Sequence, residues 1–261
     1  MSAVARLAAC AVVTLSLTLA ASSVEGETVQ KGSLRVSAAA KLRPHRLPRT
    51  GMAPLAVTLS SELATTDRSA PPPLRTLRIE LNRRGRLDTE GLPECRSNEI
   101  QPASTARALS ACRDALVGRG SFSVDVVLGG QEPYPTTGRL LIFNGSYRGR
   151  PALLGQIYVA RPFANSFVIP FVRSQRKRGK YGAVLSATLP RSFTSWGHIS
   201  GLRFTLGRRY VAQGERRSVI TGACPAPKGF PGAVFTLART TFRFSTGLKL
   251  GMDLTTDCTV R

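Results

Sequence analysis

Leu248-Lys249-Leu250-Gly251-Met252-Asp253-Leu254 sets an aliphatic side chain at every second position, with Lys, Gly and Asp between them. A period of two marks an extended strand with one buried and one wet face, whereas an amphipathic helix needs spacings of three and four. The alternation returns upstream. Leu77, Ile79 and Leu81 alternate with Thr76, Arg78 and Glu80, and Phe122, Val124 and Val126 with Ser121, Ser123 and Asp125. Leu202, Phe204 and Leu206 alternate with Arg203 and Thr205. Less regular runs fall near residues 54–60, 138–143, 151–160, 167–173, 182–189 and 234–244. One-sided burial of this kind belongs to antiparallel sheets. The expectation is a mainly β chain, an antiparallel β-sandwich of about ten or more strands.

One segment departs from this period. Gln101–Val117 reads QPASTARALSACRDALV, with Ala108, Leu109, Cys112 and Leu116 on one helical stripe, Ser104 or Thr105 as cap and Gly118 as stop. It predicts one short helix near 103–117 that closes an end of the sheet pack. Turns are expected at Asn82–Gly85, Asn144-Gly145, Gln213-Gly214 and 224–232. Asn144-Gly145-Ser146 is also a glycosylation sequon, although Asn-Gly between strands signals a hairpin first. Residues 24–53 are basic and contain Pro, which suggests an N-terminal arm ahead of a sandwich domain over 54–261. A division near residue 148 is the alternative to a single domain.

The chain has 261 residues with 42% hydrophobic content, close to the globular norm, so disorder does not describe the whole. Neither a Gly-x-y period nor sustained heptads occur, which excludes collagen and coiled coil. Lys and Arg number 37 against 15 Asp and Glu, a formal net charge of +22, and only six of the basic residues are Lys. Such a surface attracts polyanions in a salt-dependent way. The Arg preference also fits GC-rich codon usage.

The N-terminus, MSAVARLAACAVVTLSLTLAASSVEGE, has the build of a signal peptide over residues 1–23. Arg6 supplies the basic region, Leu7 to Ala21 the apolar one, and Ala21 and Ser23 the small residues that a signal peptidase accepts. Fifteen apolar residues are short for a membrane span, and no later run approaches eighteen, so no membrane span is expected after cleavage. Leu7-Ala8-Ala9-Cys10 spells a lipobox with its apolar region on the wrong side. Leu47-Pro48-Arg49-Thr50-Gly51 matches a sorting signal but lies far from the C-terminus, and reads as a Pro-containing turn. Cleavage leaves Cys95, Cys112, Cys224 and Cys258. An even set in an exported chain reads as disulfides, and local closure costs least entropy, which favours Cys95–Cys112 with Cys224–Cys258.

Chemistry is sparse in this sequence. His45 lies in the basic arm, and His198 follows the sole Trp in Ser195-Trp196-Gly197-His198. Trp196 and His198 are candidates for ligand stacking, though a loop that seals a sandwich edge explains them as well. No nucleophile elbow, phosphate loop or CxxC pair occurs, so no catalytic residue, metal site or cofactor is assigned. Asp88, Glu90 and Glu94 read as a solvated turn. Two basic clusters are candidate polyanion sites. Arg173, Arg176, Lys177, Arg178 and Lys180 fall between two strand patterns, and Arg208, Arg209, Arg216 and Arg217 flank the Gln213-Gly214 turn. Only Tyr181 and Tyr210 lie nearby for stacking, which argues against sequence-specific nucleic-acid binding.

At Cys224–Phe235 (CPAPKGFPGAVF), Arg83–Cys95 (RRGRLDTEGLPEC) and Ala108–Phe122 (ALSACRDALVGRGSF) the chain resembles a family of uncharacterised secreted β-rich proteins from high-GC Gram-positive bacteria. The resemblance spans roughly residues 53–261. It implies export and four cysteines, and it assigns no activity and no residue roles. The functional expectation is a secreted or cell-surface, disulfide-bonded protein without enzymatic activity that adheres to an anionic envelope polymer or another extracellular macromolecule. The alternative is a secreted hydrolase acting on carbohydrate or ester.

Overall fold

A computed structural model describes residues 26–127, 132–161, 164–191 and 197–261, and all four alternating runs are strands. The signal peptide expected over residues 1–23, Cys10 and Trp196 lie outside the described residues. The first part of the chain supplies β1 (Glu27–Lys31), β2 (Leu34–Arg43), the two-residue β3 (Arg46–Leu47) and β4 (Ala53–Pro54), β5 (Ala56–Thr65), β6 (Leu74–Asn82) and β7 (Gly85–Leu87). Two helices follow, α1 (Ser97–Ile100) and α2 (Thr105–Cys112), and then a 3-10 turn, Arg113–Ala115. The remainder is β8 (Leu116–Val126), β9 (Tyr134–Tyr147), β10 (Arg150–Val159), β11 (Asn165–Gln175), β12 (Tyr181–Thr188), β13 (Gly197–Leu206), β14 (Arg209–Ala212), β15 (Glu215–Ser218), β16 (Ile220–Gly222), β17 (Gly232–Phe244) and β18 (Lys249–Val260).

Thirteen of these strands form one hydrogen-bonded sheet, ordered β1-β2-β5-β13-β8-β9-β10-β11-β12-β6-β17-β18-β3. Every pairing in it is antiparallel except β18 with β3. The chain is mainly β and antiparallel, as the alternation implies. The two layers expected of a sandwich are continuous with one another, because the sheet curls into a half-barrel. β18 returns to lie against β1 and β2, where Thr255 Oγ1 donates to Glu27 Oε1 at 3.3 Å. The inward faces share a single apolar core in which Phe122, Phe242 and Leu254 are about 1% exposed. Each such side chain contributes about 1.5–3 kcal/mol by leaving water.

The structure corrects four sequence expectations. Within the arm expected over 24–53, the described residues from 26 onward are not separate from the sheet: β1 and β2 are full members of it, and Leu34, Val36, Ala38, Ala40 and Leu42 line its core. Small alanines and interleaved Arg and Lys weaken this hydrophobic signal without breaking its period. The sheet also runs unbroken past residue 148, where Arg148 and Gly149 adopt positive φ and turn β9 into β10. Asn144-Gly145 is therefore inside a strand. Asn144 is 4% exposed and its amide donates to the carbonyls of Leu92 and Pro93, so the sequon is not offered to a glycosyl carrier by the folded chain. Gly118 is likewise not a helix stop. α2 ends at Cys112, the 3-10 turn follows, and Gly118 lies in β8.

Ser104 does cap α2, its side chain accepting from the Arg107 N–H at 3.3 Å. The helical segment covers the outer face of β9, β10 and β11 through a second apolar cluster that includes Ile100, Ala108, Leu141, Phe143 and Leu154. This is why Leu140-Leu141-Ile142-Phe143 is apolar at consecutive positions: one face meets the main core, the other meets the helix. Cys95–Cys112 ties the helix to the loop before it, and Cys224–Cys258 ties β18 to the segment after β16. Both pairings are those favoured by local closure.

Candidate functional site

The end of β11 and the loop from it to β12 carry the first predicted basic cluster, and most of its cations already have partners. Arg173 is half-buried and donates to the Leu87 carbonyl at 3.2 Å and to Thr89 Oγ1. Burial lowers its pKa, partly opposed by the field of Asp88. Arg176 reaches Glu80 Oε1 at 2.8 Å, a carboxylate that Arg78 also meets at 3.3 Å. Lys180 donates to Thr236 Oγ1 at 2.8 Å and stands 3.9 Å from Asp253. Lys177 and Arg178 are exposed and make no hydrogen bond or ion pair among the described residues.

The second cluster is divided in the same way. β14 and β15 form the expected hairpin, with Gln213 and Gly214 at positive φ. Arg208 is used structurally, its Nη1 bridging the carbonyls of Asp114 at 2.7 Å and Leu116 at 3.0 Å. Arg217 pairs with Glu90 at 3.1 Å and Glu215 at 3.3 Å. The register sets Tyr210 opposite Arg217 and Val211 opposite Arg216, so the four arginines are split between the two faces of the hairpin. Arg209 and Arg216 alone remain exposed without partners among the described residues.

His198, the second residue of β13, lies directly opposite Asp125 of β8. It is half-buried, and its Nδ1 has no hydrogen-bond partner among the described residues. Burial lowers its pKa below the ordinary histidine value, an effect that Asp125 partly offsets. Cys95, Cys112 and Glu99 are the described groups that approach metal-ligand spacing, but the sulfurs are joined to each other and cannot serve as thiolates.

A third set of cations is invisible as a cluster in the sequence. On the outer face of the curled sheet, Arg203 of β13 lies opposite Ser121 of β8, which in turn lies opposite Arg139 of β9. One step along, Thr205 is opposite Arg119, and Lys41 of β2 pairs with Thr58 of β5, which pairs with Thr205. Neighbouring strands are about 4.8 Å apart, so Arg139 and Arg203 flank Ser121 at about 10 Å from one another. Arg119 is two residues from Ser121 on the same strand, about 7 Å along it. Lys41, Arg119, Arg139 and Arg203 are all exposed, and none has a hydrogen bond or ion pair among the described residues. Between them stand hydroxyls: Thr58, Ser60, Ser121, Thr205 and, opposite Arg139, the phenol of Tyr158.

Close strand approach supports this face. A Cβ on Gly120 would lie 2.0 Å from the Arg203 carbonyl oxygen, so only glycine fits between Arg119 and Ser121. At its lower end the face opens into a cleft of about 400 Å³ lined by Arg113, Arg119 and Arg208, with no carboxylate in its wall. On the same face Glu62 stands one row beyond Ser60 and Asp125 two rows beyond Ser121, and neither forms an ion pair among the described residues. The arrangement is a broad hydroxyl-studded surface with four positive charges that form no ion pair among the described residues, suited to an extended anion rather than to a small buried one.

No family model, no curated protein and no solved structure matches this chain. Among the described residues no helix is long and apolar enough to cross a membrane. The two disulfides fit an oxidising, extracytoplasmic compartment.

Proposed function

We propose that this chain is an exported, non-enzymatic adhesion protein that binds an anionic envelope polymer along the outer face of β2, β5, β13, β8 and β9. The observation that carries this reading is the register that gathers Lys41, Arg119, Arg139 and Arg203, four unpaired cations from four separate strands, onto one exposed surface. Charges that merely keep a protein soluble are usually interspersed with opposite ones. Here the two central rows carry cations, hydroxyls, Ala39 and Leu141, and no carboxylate. Rim cations at the Lys177–Arg178 loop and the Arg209/Arg216 hairpin extend the positive field without shaping a site.

Binding of polyphosphate measured across salt tests the proposal. With about 0.7 counterions released per neutralised charge, replacing Arg119, Arg139 and Arg203 with Thr should lower the slope of log affinity against log salt by about 2. Thr suits exposed strand positions, so the fold should persist. Equal slopes for the parent and the triple variant, or no binding even at about 50 mM salt, would reject this face as the site.

A further inference from the structure

β17 is longer than the strand it pairs with. β6 accompanies it from Leu74 opposite Phe244 to Leu81 opposite Ala238, then turns away at Arg83-Arg84 into β7, which joins β16 instead. From Gly232 to Thr236, β17 pairs with β18 alone. The Val260 N–H donates to the Pro231 carbonyl at 2.7 Å, which fixes the hydrogen-bonding phase. Residues 231, 233 and 235 turn their backbone groups to β18, whereas Gly232, Val234 and Thr236 turn theirs to the side that β6 has left. The Thr236 carbonyl is taken by Asn82 Nδ2 at 2.7 Å. The N–H and C=O groups of Gly232 and Val234 on that side have no partner among the described residues.

The vacated side adjoins a cleft of about 1010 Å³ lined by Phe235 and Thr236 of β17, the 49–52 segment and the turn at Arg83-Arg84. Its cations are Arg49, Arg83, Arg84 and Lys180, and no carboxylate lines it. Two of these are fixed in advance. Arg49 donates to the carbonyls of Ala226 at 2.7 Å and Phe230 at 2.8 Å, and Arg83 to those of Gly179 and Arg176, both at 2.9 Å. Arg84 has no side-chain partner among the described residues, and Lys180 has its hydroxyl bond to Thr236, the Tyr181 ring 5.7 Å from its ammonium and the distant Asp253. Met52 of the cleft wall is 49% exposed, and Val234 of the open edge, opposite Asp257 of β18, is 76% exposed. Open strand edges are normally covered or charged, and this one is bordered by cations and apolar side chains together.

We propose that the cleft takes an extended acidic peptide segment, which adds as a strand to β17 at Gly232–Val234 and directs carboxylates to Arg84 and Lys180. The chemistry selects a peptide over a polysaccharide or polyphosphate: backbone donors and acceptors alternate along this edge, and only another peptide backbone answers both in register. Charge complementarity sets the acidic character of the partner, and Val234, on the face away from Phe235, suits an apolar residue at alternate positions. The proposal is independent of the polymer-binding face.

The test uses the full exported chain and a labelled, end-capped Glu-Val-Glu-Val-Glu peptide, with two isomers N-methylated at alternate residues in opposite phases. Methylation keeps every charge and removes donors from one edge of the peptide. One isomer should bind within about twofold of the parent peptide, and the other should lose on the order of tenfold or more. Val234→Pro removes a donor that does not belong to the β18 ladder, and should cost about tenfold, as should Arg84→Glu. The Arg119, Arg139 and Arg203 triple variant should bind the peptide as the parent protein does. Equal binding of both methylated isomers would show that charge alone is recognised and would overturn strand addition, as would absence of peptide binding. These two results need no substituted protein, so they decide the matter even where Val234→Pro does not fold.

Discussion

Replacing both Cys224 and Cys258 with Ala removes a bridge whose members are 34 residues apart and almost fully buried. In the chain-entropy account, opening a 34-residue loop gives the unfolded chain about 3.8 kcal/mol of freedom at 25 °C. The 17-residue Cys95–Cys112 loop gives about 3.1 kcal/mol by the same relation. The void left by two buried sulfurs adds to the first figure. The bridge also holds β18, which closes the curled sheet and has only the two-residue β3 as its outer hydrogen-bonded neighbour. Equilibrium urea unfolding followed by far-ultraviolet circular dichroism reads the effect. The variant should lose about 4 kcal/mol, and its m value should rise because the unfolded chain expands. Hydrogen exchange should speed up first in β18. A loss below about 1 kcal/mol with an unchanged m value would refute this reasoning, since the bridge would then not constrain the unfolded state.

Gly120→Ala should destabilise the chain by about 3 kcal/mol or more, because its Cβ would meet the backbone of Arg203 and Phe204 on the paired strand rather than a side chain that can swing away; a Tm within a degree of the parent protein would contradict this. His198 should titrate below the ordinary 6.5 in the folded protein. Its folded pKa is depressed, so the unfolded state takes up the proton first and stability falls as pH drops through 6.5 toward the folded value. Ring-proton chemical shifts of His198 followed across pH would reveal the opposite sign if the proton were held more tightly in the folded state.

Legibility followed physical range. A strand that buries one face writes a period of two into its own residues, so β6, β8, β13 and β18 could be read directly. β9 and β10 were harder because the α2 segment covers their outer face and erases the alternation, as Leu141 and Phe143 show. β2 kept its period but used alanines, whose small side chains allow β18 to lie close and carry little hydrophobic weight in a sequence. At the site, runs such as Arg176-Lys177-Arg178 attract notice, yet Arg176 is spent on Glu80, as Arg208 is on backbone carbonyls. Arg119, Arg139 and Arg203 are solitary in the text and adjacent in space. The nearest available signal was their parity, since each occupies the polar phase of its own strand.

The amino-acid sequence by itself marked the strongly alternating strands and the capped helix, and favoured the two local cysteine pairings among three, because these depend on neighbours along the chain and on short loop closures. The tertiary structure decided which strands lie side by side, and with that the continuous curl of the sheet, the gathering of four cations on one face and the open edge of β17. Register is set by long-range fitting of side chains between segments, and a period of two fixes which way a residue points without fixing what stands beside it.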